Sequence, residues 1–154
     1  MRKFLFFAFA LVAGALAMTS CEPNNPEITG KEYHYDAKLT LNDAVGTQYP
    51  FQLYFTVNSK NEVSMRWENL QYDGKTVDLN YTGKCEKVDE EVYMMQVQDK
   101  MRLKDGSYFD EFGTVRAHFE FGDNVEWFSS DAHFIYDNEE KNIMAWIDGQ
   151  LVKE

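Results

Sequence analysis

Few side chains in this sequence are placed to do covalent chemistry, and the two thiols come first. Cys21 closes a segment that starts Met1-Arg2-Lys3, continues through an apolar run over residues 4–17 and leads through Met18-Thr19-Ser20 into the thiol. A positive start, a short apolar stretch and small or polar residues before a cut are the marks of an export signal. The run of about 14 residues falls short of the roughly 20 that a spanning helix needs, so cleavage is expected in place of retention. Cys85 falls on the apolar phase of an expected strand and reads as a small buried hydrophobe, not a reactive thiol.

Metal and acid–base chemistry find little to work with. His34, His118 and His133 lie out of phase with the apolar rows, no two have the spacing of zinc ligands, and no strand carries a pair. Asp131 and His133 stand two apart, too short a motif to define a site. A nucleophile would need a turn such as Gly-x-Ser-x-Gly, which is absent, and Ser129-Ser130 reads as a bulge or loop end where a strand changes phase. Acidic pairs such as Asp110-Glu111 and Glu139-Glu140 follow from composition, so no enzyme, metal or cofactor is expected. Asp99 is more unusual, because it occupies the apolar phase between Val97 and Met101. Either a bulge turns it outward, since an unpaired buried carboxylate is costly, or it faces inward as a polar ligand contact.

Aromatic residues make up 16% of the chain, and several fall outside the apolar rows. Tyr54, Phe112 and Trp146 take polar positions, while Trp127-Phe128 and Tyr108-Phe109 put one ring on each side. Exposed rings can stack on sugars or fill a partner's pocket; cross-strand pairing is the alternative use. With Trp67 from an inward row, the candidate ligand contacts are Asp99, Trp67, Trp127, Trp146 and Tyr54.

The elements that must position them have a period of two. Tyr33, Tyr35, Ala37, Leu39 and Leu41 form one apolar row, Tyr49, Phe51, Leu53, Phe55 and Val57 a second, and Val63, Met65 and Trp67 a third. Leu70 and Tyr72 change phase, which predicts a bulge or turn at Glu68-Asn69. Val77, Leu79, Tyr81 and Cys85 mark a fourth strand, and Tyr93, Met95, Val97, Met101 and Leu103 a fifth. After the turn Lys104-Asp105-Gly106-Ser107, residues 108–121 read as the sixth, followed by 125–136 and 142–152. The result is an all-β, eight-stranded antiparallel up-and-down meander, closed as a barrel or left as a sandwich or strongly curled half-barrel. Small inward residues such as Ala37, Gly83 and Ala117 leave room for a modest pocket at one end.

Loss of residues 1–20 leaves one domain: residues 21–30 as a tether and 31–154 as the folded unit. With Arg2 and Lys3 gone, the 15 basic residues fall to 13 against 26 acidic ones, and the formal charge moves from −11 to −13. This excludes nucleic acid and a basic patch for anionic head groups, and suits a solvated, mutually repelling surface or a cationic ligand.

The Met18-Thr19-Ser20-Cys21 step resembles the lipobox of bacterial lipoproteins, in the form tolerated in Bacteroidota. The resemblance implies that Cys21 carries diacylglycerol and anchors the protein to the outer membrane without spanning it, two or three acyl chains holding where one would not. Glu22 and Glu27 loosely resemble the surface-export signal of the same lipoproteins. Strand rhythm, Trp67-Glu68-Asn69-Leu70 and Ile147-Asp148-Gly149-Gln150-Leu151 resemble calycin-like, or lipocalin-like, small lipoproteins over residues 33–152. What this implies is a non-enzymatic module holding a small apolar or amphipathic molecule at one end of a barrel. The exposed rings support a second expectation, contact with a glycan or a partner protein.

Overall fold

The structure, a computed structural model, describes residues 27–153. The export segment, the lipobox, Cys21 and residues 22–26 lie outside the described residues.

Alternating apolar rows become strands β1 (Glu32–Leu41), β2 (Gln48–Val57), β3 (Glu62–Tyr72), β4 (Lys75–Lys87), β5 (Tyr93–Asp99), a two-residue β6 (Arg102–Leu103), β7 (Thr114–Gly122), β8 (Trp127–Ile135) and β9 (Ile143–Leu151). They pair in the order β3-β2-β1-β9-β8-β7-β5-β4, and β3 pairs with β4 to close the ring. Eight long antiparallel strands therefore form a closed up-and-down barrel, not a sandwich or an open sheet, and β6 adds a short segment beside β4. Turn chemistry supports the order: Tyr72 pairs with Lys75 across Asp73-Gly74, both at positive φ, the two-residue hairpin that matches strand twist.

The inward rows meet as a continuous file of rings. Phe55 lies 4.3 Å from Phe121 between centroids, Tyr35 meets Phe128 edge-on at 5.2 Å, Phe51 meets Trp67 at 4.6 Å, and Phe112 stacks on Phe134 at 4.4 Å. All eight rings are buried. Room for them comes partly from Gly149, where a Cβ would run into the Phe128 ring.

The phase change in β3 falls where expected: the register with β4 shifts between Trp67 and Leu70, and Asn69 takes φ 60°. Five readings change. The fifth strand stops at Asp99 instead of running on to Leu103. The sixth does not begin at Tyr108, because residues Asp110–Phe112 form a 3-10 turn and the strand starts at Thr114. That turn drives Phe109 and Phe112 into one barrel end, so Phe112 is core and not a surface ring. Ser129-Ser130 is neither a bulge nor a loop end: β8 runs through it in regular phase, with Ser130 inward and its hydroxyl donating to the Asp131 carbonyl at 3.2 Å.

The fifth change concerns the expected tether, because residues 27–30 belong to the barrel. Glu27 pairs with Lys87 and accepts from the Tyr93 hydroxyl, Thr29 bridges Val57, and the Gly30 amide donates to the Val57 carbonyl at 2.8 Å. Between these contacts Ile28 is 2% exposed and plugs the end where β1 starts. Val125 fills the same mouth with φ 67°, a conformation that a β-branched residue rarely adopts. The Tyr35 hydroxyl holds it by donating to its carbonyl at 2.7 Å.

The β4–β5 seam is irregular. Its ladder covers Cys85, Glu86 and Lys87 against Met95, Met94 and Tyr93, and beyond it β4 pairs with β6. In the gap lies the Tyr81 side chain, whose hydroxyl donates to the Gln96 carbonyl at 3.4 Å and accepts from the Gln98 backbone. Gly83 leaves room for the ring, since a Cβ there would sit 3.0 Å from it.

Candidate functional site

Most sequence-derived candidates have structural work. Trp67 is 1% exposed and aims its N–H at the Met65 sulfur, 3.4 Å away, inside the core. Trp127 lies over Gly122, where a Cβ would strike its ring, and donates to Asp123 at 2.8 Å, fastening the β7–β8 turn. Tyr54 is flanked from both neighbouring strands: the His34 ring stacks on it at 4.5 Å and the Arg66 guanidinium lies over it at 4.8 Å. Asp99 is exposed at the end of β5, outside the core, where it edges a small depression of about 70 Å³ with Asn80, Tyr81 and Arg102 and accepts the Lys100 amide at 2.7 Å. Cys85 is buried, and burial, with the Glu86 charge beside it, pushes its thiol up to about 12, so the inert reading holds.

Trp146 differs. It points outward from the middle of β9 and is 44% exposed, with Met144 on the same face at 48%. Around it a depression of about 450 Å³ is lined by His118 and Glu120 of β7, Ser129 and Asp131 of β8, and Asp148 of β9. Register builds this site: His118 stands opposite Asp131, Asp131 opposite Trp146, and one step along Glu120 stands opposite Ser129 and Ser129 opposite Asp148. Among the described residues these five polar side chains have no hydrogen-bond or ion-pair partner. The structure thus gathers groups that the sequence scatters over residues 118–148. Sequence reasoning found Trp146 and the outward phase of His118 and His133, but missed Glu120, Ser129, Asp131 and Asp148, whose proximity depends on which strands pair.

A larger depression, about 840 Å³, crosses the outer wall of β1–β4 over Thr56, Ser64 and Thr82. Glu32 pairs there with Arg66 at 3.1 Å and Glu62 accepts from Asn58 at 2.7 Å, while Lys31, Ser64, Thr82 and Lys84 have no side-chain partner among the described residues, and no aromatic ring lines it. Among the described residues no three His, Cys, Asp or Glu side chains converge as a metal site, and no helix is long and apolar enough to cross a membrane. What the Trp146 face can do is bind. A ring face takes apolar or cationic surface, and the free carboxylates, imidazole and hydroxyl take hydrogen bonds from a polar ligand.

No protein-family model matches the chain, and no curated protein matches it. Among solved structures it is similar to a redesigned β-barrel, with 13% identity over 88% of this chain and 100% of that one and a TM-score of 0.51. At that identity the likeness shows the fold, a β-barrel, and nothing about ligands.

Proposed function

We propose that this protein is an exported, lipid-anchored, non-enzymatic binding module that takes a glycan on the outer wall of its barrel. The reading rests on the Trp146 depression, an exposed ring among polar side chains without protein partners. Stacking on an aromatic face and charge-assisted hydrogen bonds to hydroxyls are how such a surface gains affinity. Export and anchoring rest on the sequence before Cys21. The companion reading, a small apolar molecule held at a barrel end, would need space now filled by Ile28 and Val125 at one mouth and by Phe109 and Phe112 at the other.

Two measurements separate the readings. Trp146→Ala removes an exposed side chain, so stability should change by no more than about 0.5 kcal/mol. Retention on an immobilised glycan panel should fall at least tenfold, by about 1.4 kcal/mol or more. Wild-type retention in the variant removes the outer-wall reading. Mass spectrometry of the purified protein supplies the second test, since a co-purifying apolar molecule would return the ligand to the interior.

A further inference from the structure

Resting on the glycan reading of the Trp146 face, we propose that the ligand is a linear, uncharged or amine-bearing oligosaccharide lying across the strands from Trp146 to Gln98. A second depression of about 340 Å³ adjoins the first on the walls of β5, β7 and β8. His118 and Asp131 line both, so the two depressions meet along this pair, and a ligand laid over it would make them one trough. Gln96, His118, Asp131 and Trp146 stand opposite one another in a single row across four strands. At ~4.8 Å between strands the row is ~14 Å long, more than one sugar ring can cover. A single ring stacked on Trp146 would leave the far depression to water, whereas linked rings reach it.

The far depression suits the same chemistry. Gln98, Arg116 and His133 present planar groups there, and among the described residues their side chains have no hydrogen-bond or ion-pair partner. Planar amide and guanidinium groups offer paired donors or acceptors that match neighbouring hydroxyls. Charge restricts the choice further. Glu120, Asp131 and Asp148 surround the Trp146 end, whereas Arg116 is the permanent cation of the far end. A uronate or sulfated ring over Trp146 meets three carboxylates, while a neutral ring does not and an amine is attracted to them and to the indole face.

The test is calorimetric titration of the whole lipoprotein in detergent with linear oligosaccharides of increasing length, in neutral, glucosamine and uronate series. Affinity should rise about tenfold or more with length and level off once the chain spans both depressions. Gln98→Ala combined with Arg116→Ala should bring long chains down to the affinity of short ones and leave short ones unchanged, while Trp146→Ala should weaken both. Circular dichroism confirms that the variants are folded. If short and long chains bind equally through Trp146, the glycan reading stands and the trough is overturned. Uronates binding as tightly as neutral chains would overturn the charge selectivity, and no binding by any member would remove the glycan reading with it.

Discussion

Glu27 shows what one side chain adds at the surface of this barrel. The Lys87 ammonium and then the Tyr93 hydroxyl donate to its carboxylate and pull its pKa from 4.5 down to about 2. Burial, and then the same carboxylate, push Tyr93 upward. A depressed carboxylate stabilises the fold when ionised, so the contribution is complete above about pH 4.5 and is lost as pH falls toward about 2. Glu27 is 39% exposed and Lys87 33%, so solvent screening holds the effect to about 1 kcal/mol or less. Thermal melts should show wild type above Glu27→Gln at neutral pH, the difference closing through that acid window and shrinking in high salt. A difference that persists at the acid end would mean that the pair is not its source. Tyr54 and Trp146 mark how far single residues can be read from sequence. Both are outward aromatics on regular strands, but cross-strand neighbours cover Tyr54 with His34 and Arg66 and leave Trp146 open.

At the scale of elements, the rows that alternate without interruption are legible because a half-buried strand has no other pattern. Residues 108–113 were not, since a 3-10 turn buries Phe109 and Phe112 three apart, a spacing that within a strand puts one of them outside. The segment at 27–30 escaped for a different reason: Ile28 is a single apolar residue among polar ones, and one residue makes no period. Its role is nonetheless that of core. Ile28→Ala should cost about 2–4 kcal/mol in chemical denaturation, the range for truncating a buried branched side chain. A chain beginning at residue 31 should unfold at lower denaturant than one beginning at 27. Equal midpoints would show that the mouth is closed without it. The Trp146 face was illegible for a third reason. Each of its residues has an ordinary outward phase, and their convergence exists only once β7, β8 and β9 are in register.

For the molecule as a whole, Glu27 is six residues from Cys21, and chain of that length reaches ~20 Å at most. If Cys21 is acylated, that reach keeps the mouth plugged by Ile28 and Val125 close to the bilayer, while the Trp146 face lies on the side wall of the barrel. Cys21→Ala should therefore move the protein from the membrane fraction to a soluble one with its β-sheet circular dichroism unchanged. Membrane association that survives a high-salt wash would show that lipid on this thiol is not the anchor. The seam between β4 and β5 bears on a different property. A closed barrel has no free strand edge to offer a neighbouring molecule, and open edges are where sheet proteins join into larger assemblies. Here closure passes in part through one phenol, since the Tyr81 hydroxyl meets the Gln96 carbonyl and the Gln98 backbone that a neighbouring strand would otherwise engage. Tyr81→Ala should uncover that latent edge and turn a particle of constant size into one whose light scattering climbs with concentration, whereas Tyr81→Phe, which keeps the ring and loses the hydroxyl, should fall between the two.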